Sequence, residues 1–280
     1  MYVERPPTAD LAGRLACVWH QVSEADATQL VVPDACVDLI WGPEGLFVAG
    51  PDTGPMPAPM ASGDTFVGIR FRPGAVGDFF GVPLQELRDQ RVRVSDLPSL
   101  RDQPARLAEL TSLHDQPVGV SALSSPRDQR VSVSDPPSLR DQPIRLADLP
   151  SLHSADVAPP GRLDAMLAAV RGRLAREVPA DPAGAAIAGA LRMGRSVGEV
   201  AWDLGFSERQ LHRRSLVTFG YAPKILQRIV RFQRALTLAR AGVPLAEVAV
   251  TAGYADQAHL SHDVKRLSGV SMRHLVSPAG

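Results

Sequence analysis

The sequence is poor in cysteine and in aromatic residues, and no long apolar run interrupts its 280 residues. Two cysteines, Cys17 and Cys36, are too few for a disulfide framework or for a four-thiolate zinc site. No apolar stretch approaches the roughly 18 to 20 residues that span a bilayer, and the amino terminus lacks the basic-then-apolar order of a signal peptide. We therefore expect a cytoplasmic protein that has no membrane partner and keeps its thiols reduced.

Aromatic residues are missing from one long stretch of the chain. Of the 14 Phe, Trp and Tyr residues, eight lie in residues 1–80 and six in residues 202–280, with none between Gly81 and Ala201. Ten of the 25 prolines fall between Asp96 and Pro160. Large rings supply much of the buried area of a small core, so the middle of the chain is a poor candidate for a compact domain.

The same middle stretch is repetitive. An Arg-Asp-Gln triplet, His-Asp-Gln in the third copy, recurs every 13 residues and begins at Arg88, Arg101, His114, Arg127 and Arg140. One interpretation is a miniature solenoid; the other is an expanded spacer. We favour a repetitive, proline-rich spacer over residues 96–160, because the period is shorter than the usual 20 to 50 residues and prolines remove backbone donors.

The two ends of the chain have different secondary-structure patterns. Residues 1–95 contain β-branched and aromatic runs separated by Pro and Gly turns, at Leu30–Val32, Val37–Trp41, Leu46–Val48 and Phe66–Phe71. They predict a small β-rich domain for effector binding or dimerisation. In the connector, residues 161–193, apolar residues follow one helical stripe that suits a core or a dimer interface: Leu163, Met166, Leu167, Val170 and Leu174.

The net charge of zero hides an asymmetry. From Ala190 to Gly280 there are 13 Lys and Arg against 6 Asp and Glu, which leaves 17 against 24 for the rest. A basic end on an otherwise acidic chain indicates a polyanionic partner for the carboxyl-terminal region.

Two short helical pairs follow one another in residues 194–280. Ser196–Glu199 and Ser207–Gln210 have the order of capping boxes, and Gly205 permits a tight turn between the helices that they start. The pattern returns about 48 residues later, where Gly253 occupies the turn and Asp256 can cap the last helix. Each pair predicts a helix-turn-helix unit, and a long helix from about Pro223 to Ala241 is predicted to join them.

These residues resemble the AraC-type transcription regulators, whose DNA-binding region consists of two such units and a linking helix. The resemblance covers about Gly194 to Leu275, and the stretches Pro33–Ile40 and Gly68–Gly74 are similar to the β-rich domain that precedes this region in a subset of the family. It implies a multi-domain α+β protein with an all-α carboxyl-terminal region. It also implies promoter DNA as partner. A small-molecule effector, a homodimer and RNA polymerase are further candidate partners, and the resemblance does not supply the ligand of the β-rich domain.

Some positions depart from the family pattern. Ser215 stands where the family usually packs a Phe, and Val264 occupies the corresponding place in the second unit. His262 replaces a common Arg, and Met272 a common Pro. A serine hydroxyl buried without a partner would weaken the first unit by roughly 1 to 3 kcal/mol.

Recognition helices enter the major groove and present the side chains opposite their apolar stripe. The candidates for reading bases are Arg209, His212 and Arg213 in the first unit and Gln257, Ser261 and His262 in the second. For Arg213 an ion pair with Glu208 or Asp203 and a phosphate contact remain alternatives, and His259 is expected to pack or cap near Tyr254. The candidates for phosphate contacts are Arg214, Lys224, Lys265 and Arg273.

The sequence contains no convincing catalytic motif, and we do not expect an enzyme. No P-loop, GxSxG sequence or metal-spaced His/Cys cluster accompanies His20, Cys17 and Cys36, so neither a cofactor nor a metal is expected. Asp34 and Asp38 could bind a ligand or flank a turn. Besides an effector-controlled regulator, two alternatives stay open: an architectural DNA binder without sequence preference, and a fusion to an alkyl-transfer repair domain with a reactive cysteine.

Overall fold

The computed structural model describes residues 1–77, 79–97, 159–175 and 181–277. Its amino-terminal part is a β domain built from two antiparallel sheets. The larger sheet has the strand order β1-β2-β7-β4-β5-β8, and β3 pairs with β6 in the smaller one. The strands are β1 Tyr2–Arg5, β2 Leu15–Val22, β3 Ala27–Val31, β4 Val37–Gly42, β5 Gly45–Ala49, β6 Met56–Met60, β7 Thr65–Phe71 and β8 Arg91–Arg93.

The four strands predicted from apolar runs are confirmed as β3, β4, β5 and β7. The other four, β1, β2, β6 and β8, were not predicted. Strand β6 was not predicted because it contains Pro57 and Pro59, and proline is unfavourable in most strand positions. Proline has no backbone N–H to donate. Both prolines are tolerated because β6 pairs only with β3, and its other edge needs no hydrogen-bond donors. Strands β1 and β8 are short and form the two edges of the larger sheet.

The larger sheet has two different faces, because successive residues of a strand point to opposite sides. On β4, Val37, Leu39 and Trp41 are buried in an apolar core together with Phe79 and Phe80. The alternate face carries polar and aromatic side chains, including Asp38 on β4 and Arg70 on β7. The face with Val37, Leu39 and Trp41 therefore forms the core of the β domain. The face with Asp38 and Arg70 is available for contacts with the rest of the chain.

Eight α-helices are described. They are α1 Pro159–Leu174, α2 Pro182–Arg192, α3 Val197–Asp203, α4 Glu208–Phe219, α5 Pro223–Arg240, α6 Leu245–Ala252, α7 Gln257–Ser268 and α8 Met272–Val276. The predicted connector thus contains two helices with different partners. Met166 and Val170 of α1 lie in the core of the β domain, whereas Ile187 and Leu191 of α2 belong to the core of the helical region. The helical stripe of α1 therefore serves as core.

The β-rich amino-terminal region and the all-α carboxyl-terminal region confirm the predicted fold class. The spacer at residues 96–160 lies almost wholly outside the described residues, and so do most of its 13-residue repeats. The predicted domain boundaries at 95, 160 and 193 stay predictions.

The helix ends follow the sequence signals. Ser196 Oγ accepts a hydrogen bond from the Glu199 backbone N–H, and the Glu199 carboxylate accepts one from the Ser196 N–H, which confirms the first capping box. Ser207 and Gln210 form the second in the same way. Asp256 caps α7 by accepting from the His259 N–H at 2.7 Å. These caps fix where α3 and the two second helices, α4 and α7, begin.

The two regions meet in a buried interface. The Tyr221 hydroxyl donates to the Asp52 carbonyl oxygen at 2.7 Å, and Gln233 Nε2 of α5 donates to the Pro33 carbonyl oxygen at 2.6 Å. Gly220 ends α4 with φ +75°, and a Cβ atom there would lie 2.9 Å from the Leu84 carbonyl oxygen. Only glycine fits this close approach, so the β domain rests directly against the junction of α4 and α5.

Candidate nucleic-acid interface

The first recognition helix, α4, separates its apolar and polar sides by helical spacing. Leu211 and Phe219 are fully buried on the inner side. Arg209 and His212 are exposed on the outer side, and Arg213 is half-buried. The structure therefore brings all three predicted base-reading residues of this unit together on the turn that follows the Ser207 cap.

Arg213 has no ion pair within the described residues. One of its alternative partners, Asp203, instead pairs with Arg195 at 2.7 Å. The guanidinium of Arg213 is thus available for an external acceptor, such as a guanine edge or a phosphate. Its role in reading bases stays a prediction.

The second recognition helix, α7, presents fewer charges. Leu260, Val264 and Leu267 are buried, which places Val264 in the predicted core position. Gln257, Ser261 and His262 are all exposed, as a base-reading role requires. The Ser261 hydroxyl donates to the Gln257 carbonyl oxygen at 2.8 Å, so its oxygen remains free to accept.

His259 packs against the turn that precedes α7. Its ring lies edge-on to Tyr254 at a centroid distance of 5.2 Å, and its Nδ1 accepts from the Ala255 N–H at 3.4 Å. The expectation that His259 packs and caps near Tyr254 is confirmed.

The four phosphate candidates fall into two groups. Lys224, Lys265 and Arg273 are exposed and, in the described part of the chain, free of ion pairs. Arg214 instead pairs with Asp181 at the start of α2, and its guanidinium lies 4.8 Å from the centre of the Phe206 ring. A phosphate contact by Arg214 stays a prediction, and it would have to share this guanidinium with Asp181.

An ion-pair cluster that the sequence analysis missed holds α7 against α5. The buried Asp263 carboxylate lies 2.9 Å from Arg231 Nη2 and 3.4 Å from Arg228 Nε. The Arg231 guanidinium also lies 4.2 Å from the centre of the Tyr254 ring. The opposite charges of Asp263 and of the two α5 arginines are visible in the sequence, but separations of 32 and 35 residues give no local periodicity that would connect them.

Ser215 confirms the expectation of a polar residue in a core position. Its side chain is fully buried, and its Oγ has no hydrogen-bond partner among the described residues. A buried hydroxyl without a partner loses its hydration without compensation. The first helix-turn-helix unit therefore contains a local packing weakness that the second, with Val264, does not have.

The cysteines of the β domain have the environment of structural thiols. Burial raises the pKa of Cys17 to about 11 and also raises the pKa of Cys36 well above its ordinary value. A thiol is a strong nucleophile only as thiolate, and both shifts oppose thiolate formation at neutral pH. Within residues 1–77, 79–97, 159–175 and 181–277, no three His, Cys, Asp or Glu side chains are grouped to hold a metal ion.

Two protein families match parts of the chain. Residues 3–93 match a domain of unknown function, DUF6597, and residues 200–277 match the family described as helix-turn-helix domain. A search of curated protein sequences finds no match. Over the described ranges, no helix is both long and apolar enough to cross a membrane.

Solved structures of ToxT from Vibrio cholerae superpose on the chain. One has 11% identity and a TM-score of 0.41 and covers 100% of this chain and 99% of ToxT. A second has 8% identity and a TM-score of 0.42, with 94% and 97% covered. Wild-type ToxT with bound unsaturated fatty acid has 11% identity and a TM-score of 0.42, with 98% and 97% covered. From the family match and the two capped helical pairs, residues 200–277 form a helix-turn-helix domain of the AraC type, and a β-rich domain precedes it in the chain.

Proposed function

We propose that the protein regulates transcription by binding one promoter sequence through both helix-turn-helix units, under the control of its β domain. The observation that carries the proposal is the pair of capped recognition helices. Each buries an apolar stripe and exposes groups that hydrogen-bond to base edges: Arg209, His212 and Arg213 on α4, and Gln257, Ser261 and His262 on α7.

The linking helix supports simultaneous binding by both units. Helix α5 has 18 residues, which makes it about 27 Å long, and it contains no interior proline. A helix of this length suits two recognition helices that enter successive major grooves on one side of the duplex, roughly 34 Å apart. The target is then an asymmetric site of two short boxes, about 10 base pairs apart.

The two boxes should be read with different stringency. Arginine can form two hydrogen bonds with a guanine edge, so the box under α4 is the more stringent. Of the predicted base-reading side chains of α7, Gln257 is suited to adenine and none is an arginine. Lys224, Lys265 and Arg273 add phosphate contacts that position the protein on any sequence.

Control by the β domain is supported by its contact with the DNA-binding region. Tyr221 connects the β domain to the junction of α4 and α5, and Gln233 connects it to the middle of α5. A ligand or a second subunit that shifts the β domain would thereby shift the first recognition helix relative to α5. RNA polymerase is the partner on which a bound regulator of this kind would act.

The experiment inserts about five base pairs between the two boxes of a mapped site, which moves the second box to the opposite face of the duplex. We expect affinity to fall sharply, whereas an insertion of about ten base pairs should restore part of it. Competition with scrambled DNA accompanies the series. Equal competition by target and scrambled DNA would instead favour an architectural, sequence-independent binder.

A further inference from the structure

A cavity of about 780 Å³ lies on the second face of the larger sheet. The smaller sheet covers it through residues such as Met56 and Met60, and Gln233 and Leu236 of α5 close one side. The volume falls within the range of sites for small molecules. The cavity touches both the β domain and the helix that links the two DNA-binding units.

Two aromatic rings line one end of this cavity. Trp19 pairs in register with Gly68, and its ring lies directly over that residue, since a Cβ atom on Gly68 would come within 2.1 Å of the indole. The Tyr2 ring lies 5.8 Å from the Trp19 ring. Glycine at position 68 thus allows an aromatic floor, and faces of this kind attract cations.

The same end has a surplus of negative charge. The guanidinium of Arg70 is approached by three carboxylates: Asp38 at 2.9 Å, Glu4 at 3.5 Å and Asp34 at 3.7 Å. Arg70 donates from Nε and Nη2 to Asp38, so Glu4 and Asp34, whose side chains are 47% and 33% exposed, share only longer contacts with this one positive charge. Burial raises the pKa of the Asp38 carboxyl, and the charge of Arg70 opposes that shift.

Two groups at this end are incompletely satisfied. Asp34 Oδ1 accepts from the Cys36 N–H at 2.8 Å, but its Oδ2 reaches only the long contact with Arg70. The indole Nε1 of Trp19 is buried and forms no hydrogen bond of ordinary geometry in the described part of the chain, although it lies near enough to Asp38 to lower the pKa of that group. The cavity therefore has a carboxylate, Asp34, with only one long ionic contact, beside an aromatic wall.

We propose that this cavity binds an organic cation, an ammonium centre attached to an apolar group, with the charge between Asp34 and the rings of Trp19 and Tyr2. The inference rests on the proposed effector control and gives the effector a chemical class. Asp34 follows Pro33, whose carbonyl oxygen accepts from Gln233 of α5. A cation held by Asp34 consequently lies one residue from the contact between the β domain and the linking helix.

The test measures binding of benzyltrimethylammonium to the full chain by calorimetry, with benzyl alcohol and phenylacetate as neutral and anionic probes. We expect saturable binding of the cation only. Asp34→Asn should weaken it by at least about tenfold, because the amide keeps an acceptor for the Cys36 N–H but loses the charge. The matched control is Glu44→Gln, which neutralises an exposed carboxylate at the other end of the cavity and should leave binding unchanged.

Three results would contradict the proposed cation site. Failure of the cation to bind at millimolar concentration, or equal binding by wild-type protein and the folded Asp34→Asn variant, overturns the inference. Preferred binding of phenylacetate does the same and would place an anion near Arg93 and Arg240 instead. Promoter binding measured without any probe separates the two proposals. Specific DNA binding without cation binding contradicts the cation site but leaves the proposed function intact. Cation binding without specific DNA binding contradicts the proposed function.

Discussion

The hydroxyl of Tyr221 donates a hydrogen bond to the backbone carbonyl oxygen of Asp52, across the boundary between the β domain and the first helix-turn-helix unit. Tyr221 is fully buried, and burial raises the pKa of its hydroxyl well above the ordinary value, so the donor keeps its proton at neutral pH. The Asp52 carboxylate is held in turn by both Nη atoms of Arg91, at 2.8 and 2.9 Å. This chain of contacts connects the wall of the cavity to the end of α4.

Tyr221→Phe removes this donor and leaves the Asp52 carbonyl oxygen buried without it. We expect a loss of about 1 to 2 kcal/mol in the free energy of unfolding, because the ring still fills its space. Urea unfolding of both proteins measures the difference. Tyr254→Phe is the matched control, since that hydroxyl forms no hydrogen bond of ordinary geometry with the described residues. Equal losses in the two variants would show that the contact with Asp52 contributes nothing specific.

Ser215→Ala is expected to stabilise the first helix-turn-helix unit by about 1 kcal/mol. The substitution removes a buried hydroxyl that has no partner and leaves the backbone unchanged. Ser268→Ala provides the contrast, because that equally buried hydroxyl donates to the Val264 carbonyl oxygen at 2.7 Å. It should lower stability by a similar amount. Thermal melting of the two variants should therefore shift in opposite directions, and a shift in the same direction contradicts the assignment.

Asp263→Asn leaves Arg228 and Arg231 without their buried carboxylate. We expect a loss of about 3 kcal/mol, because breaking a buried ion pair from one side leaves uncompensated charge. Asp203→Asn breaks the exposed pair with Arg195 and should cost less than about 1 kcal/mol. Denaturant unfolding compares them. The prediction is wrong if both substitutions have the same small effect.

Arg213→Ala and Lys265→Ala separate base reading from phosphate contact. The first should cost about 1 to 3 kcal/mol on the target site and relax preference at one base pair. The second should weaken target and scrambled sites alike and reduce the salt slope by about one unit. Binding titrations over a salt series on both sites measure these effects. If Arg213→Ala leaves the ratio of the two affinities unchanged, Arg213 contacts phosphate or supports the helix instead.

The thiol of Cys17 should be alkylated slowly at neutral pH. Its pKa of about 11 leaves little thiolate, and the rate with iodoacetamide should keep rising with pH beyond the value at which an ordinary thiol levels off, about 8.5. A Cys36→Ser background isolates this residue, and the urea-unfolded protein provides the reference. A rate that levels off near neutral pH, or transfer of a methyl group to Cys17, would revive the alkyl-transfer alternative.

Local signals in the sequence determined the DNA-binding region. Capping residues such as Ser207 and turn glycines such as Gly205 act within a few residues of their own position, so they can be identified without the fold. The same holds for helical spacing, which separated the buried Leu211 from the exposed Arg209. Helix α5 was predictable for the same reason, since its apolar face repeats over 18 residues.

Only the tertiary structure decided the relationships between distant residues. The bond from Tyr221 to Asp52 spans 169 positions, and the pairing of Arg214 with Asp181 and of Arg231 with Asp263 spans 33 and 32. None of these pairs has a periodic or adjacent pattern. Strand β6 became acceptable despite its prolines only because it pairs at one edge. The cavity likewise exists because sheet pairing places Asp38, Arg70 and Trp19 on one face, and packing against α5 closes it.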